Sequence, residues 1–386
     1  MSRNIVVCCD GTANEFAKDN TNVVKLYSVL EHDPGHQVAY YHPGLGTMEA
    51  AGALTPLARK ITKLLGMAIG YGLASDIRDA YVFLMRHFRE GDRVFLFGFS
   101  RGAYTARAVA SLLHLYGLVQ PGNESLVPYV IRMMMSIRRA SGSERQRTAA
   151  MNDYLGLARD FRDAMACVPC RPWFVGVWDT VSSVGWIANP LKLPYVTSNP
   201  SIQIGRHAIA IDERRAFFRN HLWRPPSDAT PQGPKDVKQV WFPGVHCDVG
   251  GGYPEPQSGL AKVALRWMLT EARAAGLLID AGKYRHVLGD DGGPYVKPDA
   301  LADPHESLTG AWHLAEFLPK KHFDWESRKE TRRMNLYRRR TIPPNSQVHV
   351  AAKQRGAEYC KRLPDDVEWV DDLALDADRG LPAKAA

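Results

Sequence analysis

Three polar side chains, far apart along the chain, could share one piece of chemistry. Ser100 lies in "GFSRG", Asp179 in "WFVGVWDTVSS" and His246 in "VWFPGVHCDVGGGYPEP". A serine hydroxyl is a weak nucleophile at neutral pH; an imidazole must take its proton and a carboxylate must orient that imidazole. Brought together, the three would transfer acyl groups through a serine ester.

The surroundings of Ser100 favour that chemistry. The apolar run "RVFLF" precedes the G-x-S-x-G pattern and the small-residue run "AYTARAVASLL" follows it, the strand-turn-helix context the motif requires. Gly98 and Gly102 predict a turn too tight for a Cβ, and the start of the following helix would aim backbone N–H groups at a developing oxyanion. A phosphate loop is the rival reading, but no G-K-[ST] follows.

Nine histidines follow Ser100, and His246 stands out because a Pro-Gly turn leads into it and three glycines follow at 250–252. Two acids compete at strand ends, Asp179 and Asp212. The "ERR" after Asp212 suggests an N-cap for a helix over "ERRAFF", whereas Asp179 has no such occupation. Asp248, two residues past His246, is expected to order its loop or bind an ion.

Buried strands must position these side chains. "NIVVCC" at 4–9, "RVFLFG" at 93–98, "WFVGVW" at 173–178, "HAIAI" at 207–211 and "QVWF" at 239–242 read as strands covered on both faces. Ile77, Tyr81, Leu84 and Phe88 mark a helix leading into the second of them, and Ala103, Ala106 and Ala110 mark another from Ser100 to about Leu115. Further helices are expected around 124–139, 148–165 and 259–275. The pattern loosens after about 280, so 1–280 is expected to form the catalytic domain and 281–386 an extension packing on it, without independence of its own.

Composition excludes several classes. With 386 residues, 45% hydrophobic and 23% charged, the composition is that of an ordinary soluble protein and does not indicate disorder. No apolar run approaches the roughly 20 residues that cross a bilayer. The six cysteines lack a disulfide-scaffold spacing, and "CVPC" at 167–170 has no second pair for zinc. No signal-peptide pattern opens the chain, so a cytoplasmic site of synthesis is expected. The net charge of +8 is concentrated in "RKETRRMNLYRRR" at 328–340, which suits a solvated face or phospholipid headgroups. No nucleic-acid-binding module accompanies that run, so nucleic acid is not an expected partner.

The segments "CCDGTANEF", "GYGLASDIRDAYVFL", "GDRVFLFGFSRGAYTAR", "VGVWDTVSSVG", "HAIAIDERRAFF" and "WFPGVHCDVGGGY" together resemble the type VI secretion phospholipase effectors of the first lipase class. The resemblance runs from about 5 to 275 and implies an α/β-hydrolase-like fold, with a mainly parallel central sheet and helices on both faces. It places the nucleophile, acid and base on Ser100, Asp179 and His246, favouring Asp179 over Asp212. The implied activity is hydrolysis of glycerophospholipid acyl esters, with no metal or organic cofactor required.

In this resemblance "DGT" at 10–12 lies beside the nucleophile. Gly11 or Thr12 would then join Arg101 in the oxyanion hole, or Asp10 would simply cap a glycine turn. Asp10, Asp212 and Asp248 are the expected supporting acids. "LLGMAIGYGLA" at 64–74 is a candidate acyl-site cover or a buried helix start. Implied partners are a phospholipid substrate, a transient membrane surface, secretion machinery and an immunity protein, with delivery to another cell. A soluble carboxylesterase and a non-catalytic binding protein of the same fold are the alternatives.

Overall fold

A computed structural model describes residues 2–11, 19–44, 72–136, 143–181, 185–186, 189–190, 193–224, 233–310, 312–317, 319–323 and 330–372. Residues 64–71 of the candidate cover, and Thr12, lie outside these. The main sheet has eight strands: β1 (Asn4–Cys9), β2 (Gln37–His42), β3 (Arg93–Phe99), β4 (Pro172–Trp178), β5 (Ile204–Ala210), β6 (Asp236–Phe242), β7 (Gln347–His349) and β8 (Glu368–Val370). Their order is β8-β7-β6-β5-β4-β3-β1-β2. β1 runs parallel to β2 and β3, β3 to β4, and β7 to both β6 and β8. The result is an α/β fold with a mainly parallel sheet, as the unbroken apolar runs of β1 and β3 demand.

The chain divides into two compact units, each drawn from several stretches of sequence. The first comprises described residues of 1–15, 34–205 and 221–237; the second those of 16–33, 206–220 and 238–386.

In the first unit, the helix Leu73–His87 buries Leu73, Ile77, Ala80, Tyr81, Leu84 and Met85. The Tyr81 hydroxyl donates to the Gly117 carbonyl and accepts from the Val119 N–H, anchoring the exit of the helix Arg101–Tyr116. That helix is buried along nearly its whole length, and Ala103, Ala106 and Ala110 all face inward. Its Arg107 is buried too, donating from Nε to the Val196 carbonyl at 2.9 Å and lying 4.6 Å over the Trp223 ring. A buried guanidinium without such acceptors would cost several kcal/mol.

In the second unit, Asn22 Nδ2 donates to the carbonyls of Val249 and Ala261, both at 2.9 Å. The helix start at 22 is thereby tied to the His246 turn and to the helix Gly259–Ala274. Two buried lysines share one carboxylate, Glu255 lying 2.7 Å from Lys25 and 2.9 Å from Lys262. Burial draws the Lys262 ammonium down to about 8. Two expectations change here. No helix forms over "ERRAFF", because Glu213 and Arg215 pair with each other and the chain there turns and bends. Beyond 280, two three-residue strands join the sheet, too short to show periodicity in sequence.

Candidate active site

Ser100 stands at φ +58° and ψ −119°, between the end of β3 and the first turn of the helix Arg101–Tyr116. A non-glycine residue held there costs on the order of 1–3 kcal/mol and persists only where the surroundings enforce it. The enforcement is visible at both glycines. A Cβ on Gly98 would lie 2.4 Å from the Gly102 carbonyl oxygen; one on Gly102 would lie 2.2 Å from that of Cys9 and 2.4 Å from that of Asp10. The bare backbones let the end of β1 press against the serine turn.

Asp179 follows β4 directly, as Ser100 follows β3. Phe99 pairs in register with Trp178, and the Ser100 N–H donates to the Trp178 carbonyl at 3.1 Å. The two candidate residues therefore leave adjacent strands at the same level. Asp179 is fully buried and also has positive φ, +37°.

Asp10 lies beside the serine turn, where a Cβ on Gly102 would meet its carbonyl oxygen. The Asp10 carboxylate accepts from the Gly11 N–H at 2.6 Å and from the Tyr41 hydroxyl at 2.9 Å. In this arrangement Gly11 donates within its own turn. Burial draws the Arg101 guanidinium down to about 10, with Asp76 opposing.

In the second unit, His246 opens a short helix, His246–Gly250, between its Pro-Gly turn and the last of the three glycines. Asp248 accepts from the Val245 N–H at 2.9 Å, the His305 N–H at 3.0 Å and His305 Nδ1 at 2.6 Å. Burial nevertheless raises its carboxyl pKa. Gly244, at φ +100°, leaves no room for a Cβ, which would sit 2.4 Å from that of Asp248. Asp212 accepts from the Gly244 N–H, the Tyr359 hydroxyl, Arg339 and Arg362. It is thus the hub of a backbone-and-cation network, not a helix cap.

Sequence reasoning passed over Glu213. Fully buried, it accepts from the His246 backbone N–H at 3.2 Å, from Ser307 Oγ and from both Nε and Nη2 of Arg215. Burial alone would raise its carboxyl, but Arg215, with Arg340 and His246 beyond, brings it down to about 2. The Arg215 guanidinium lies 3.5 Å over the Phe218 ring, and Phe218 meets the His246 ring edge-on at 4.9 Å. The "DERR" acid pair was the available signal, hidden by its resemblance to a helix start.

Among the described residues, His349, Asp371 and Asp372 are the one grouping of metal-ligand type. His349 Nδ1 already accepts from the Ala351 N–H, and Arg266 holds Asp372 at 2.6 Å, which suits a structural knot. Cys167 and Cys170 are buried free thiols whose pKa values burial raises, the opposite of a reactive pair.

An α/β fold whose serine crowns a glycine-walled strand-to-helix turn defines a class, the α/β proteins built around such an elbow. The family model "T6SS, Phospholipase effector Tle1-like, catalytic domain" matches residues 3–271, and the chain belongs to that family. "Uncharacterized protein YEL023C" of Saccharomyces cerevisiae is 33% identical over 232 residues, 58% of this chain and 33% of that protein. The chain thus spans about a third of the length of that curated relative. A solved structure, of the Tle1 effector bound to the VgrG spike from the Type 6 secretion system, is 17% identical. It has a TM-score of 0.33 and covers 74% of this chain and 62% of that one. Among the described residues, no helix is long and apolar enough to cross a membrane.

Proposed function

We propose that this chain is a serine hydrolase of carboxylic esters, acting on the acyl esters of glycerophospholipids. Ser100 is the nucleophile, His246 the base and Asp179 the acid that orients it. The observation that carries this reading is Ser100 itself, a non-glycine residue at φ +58° walled by two glycines that admit no Cβ. A scaffold has no physical need for that strain. Family membership supplies the substrate class.

In the first step His246 removes the Ser100 proton as Oγ attacks the ester carbonyl; the same proton then passes to the departing alcohol oxygen. The Arg101 backbone N–H stabilises the oxyanion, joined by Thr12 or by Gly11 once its N–H leaves the Asp10 carboxylate. Water, deprotonated by His246, then attacks the acyl-serine and releases the fatty acid. Asp212 and Asp248 hold backbone around His246; their partners are already cations, hydroxyls and amides. Secretion machinery and delivery to another cell are proposed from the family description, and an immunity protein from the sequence resemblance alone.

The test measures fatty-acid release from phospholipid vesicles and cleavage of a short soluble ester. Ser100→Ala and His246→Ala are expected to lower both by at least about a thousandfold, with Asp179→Ala close behind. Full activity in Ser100→Ala refutes the nucleophile. A dead Asp212→Ala beside an active Asp179→Ala moves the acid. Wild-type activity confined to the soluble ester makes the protein a carboxylesterase.

A further inference from the structure

The described residues of 312–317 and 331–338 carry a feature that the hydrolysis reading does not use. Leu314, Phe317, Met334, Leu336 and Tyr337 are 75%, 50%, 42%, 46% and 40% exposed, half of the ten large exposed hydrophobics among the described residues. The two stretches that carry them adjoin: the Phe317 and Tyr337 rings lie 6.1 Å apart, and the Leu336 N–H donates to the Glu316 carbonyl. Apolar groups gathered like this mark a docking surface more often than scattered ones do.

The face is built, not frayed. Buried Glu316 clamps the backbone beneath it, its carboxylate accepting from the N–H groups of Ala216 at 2.7 Å and Tyr337 at 2.9 Å and from Asn335 Nδ2. Leu336 and Tyr337 are both held at positive φ, +47° and +63°. Two bulky residues held in that region cost on the order of 1–3 kcal/mol each and persist only where the surroundings enforce them, here through the Glu316 clamp.

Charge identifies the occupant. Arg332, Arg333 and Arg338 are exposed along the same stretch, and the whole chain carries +8. A second copy would bring the same cations against themselves. An anionic bilayer offers both complements, headgroups for the arginines and an acyl boundary for leucine, phenylalanine and tyrosine.

We propose that Leu314, Phe317, Met334, Leu336 and Tyr337, flanked by Arg332 and Arg338, form the face on which this protein sits on an anionic phospholipid surface. Its location fits the task. Trp312, on the same turn as Leu314, packs edge-on to Phe218 at 5.3 Å, and Phe218 in turn contacts the His246 ring. A bilayer seated here lies two side-chain layers from the histidine. That use of the face rests on the phospholipase reading; the binding itself does not.

The test uses full-length Ser100→Ala protein, so that binding is read without hydrolysis. Co-sedimentation is measured with vesicles of phosphatidylcholine alone and with added phosphatidylglycerol. Binding to the anionic vesicles is expected, falling with added salt. Leu314→Ser/Phe317→Ser should lose at least about tenfold in partitioning, and Arg332→Glu/Arg338→Glu roughly fivefold or more per charge on anionic vesicles only. Unchanged urea midpoints establish that the variants fold. In chains retaining Ser100, these variants should keep soluble-ester turnover while vesicle hydrolysis falls. Unaltered partitioning by both variants, no vesicle binding by the parent, or a parent dimer that Leu314→Ser/Phe317→Ser dissolves would overturn the proposal. Activity surviving in Ser100→Ala would remove the hydrolysis reading and leave the docking face standing.

Discussion

The Ser100 turn and the His246 turn hold their residues by different means. At Ser100 the work is done by backbone, with two glycines within four residues letting carbonyls of neighbouring segments approach where a methyl would clash. At His246 it is done by charged side chains from far along the chain. Glu213 lies 33 residues upstream of the N–H it accepts from, and His305 lies 57 residues from Asp248. A site built on backbone closeness has no tolerance for added atoms; one built on ion pairs has no tolerance for lost charge.

The sharpest way to break the comparison is one methyl group. Gly102→Ala places a Cβ 2.2 Å from the Cys9 carbonyl oxygen, with backbone and no flexible side chain to yield. A loss of about 3 kcal/mol or more is expected, read as a lower urea midpoint or insoluble expression. If Gly102→Ala folds like the parent, the backbone account of the serine turn is wrong.

Next is charge removal in the other turn. Glu213→Gln leaves the Arg215 guanidinium, 11% exposed, without its carboxylate. Because the folded pKa lies near 2 and the ordinary value is 4.5, the carboxylate stabilises the fold fully above about pH 4.5. That contribution fades as pH falls toward 2. The variant should therefore trail the parent by about 3 kcal/mol at pH 7 and converge with it in acid, as urea titrations at several pH values would show. A gap independent of pH would point to packing alone.

A smaller effect is expected at His305, whose ring stacks on Tyr253 at 3.6 Å and reaches Asp248. His305→Ala should cost about 1–2 kcal/mol, and turnover of a soluble ester should fall more than its KM changes, because Asp248 shapes the helix start that carries His246. Smallest, and opposite in sign, is Ser100→Gly. Relieving the positive φ should stabilise the fold by about 1 kcal/mol while abolishing hydrolysis. Stabilisation absent in that variant would mean that the turn is not strained.

How much could be read beforehand follows the same division. The runs that became β1, β3, β4, β5 and β6 were legible because strands buried on both faces are continuously apolar. β2, with polar ends in "QVAYYH" and a half-exposed middle, shows no such run. Asp212 looked like a helix cap because local sequence cannot reveal that Tyr359, Arg339 and Arg362 would claim its oxygens. Likewise the basic run at 328–340 looked uniform, yet Arg340 is buried and donates to the Phe218 carbonyl while Arg332 and Arg338 stay exposed.

The order of residues alone determined the serine elbow, since glycine spacing, the strand before it and the helix after it are all local properties of one short stretch. It also determined the mainly parallel sheet, through apolar runs that need no distant partner to be recognised. Only the tertiary structure decided which acids are already occupied, which arginines are buried and which hydrophobics face water. Those outcomes depend on groups that meet across tens of residues, where electrostatics and burial act through space and leave no trace in spacing.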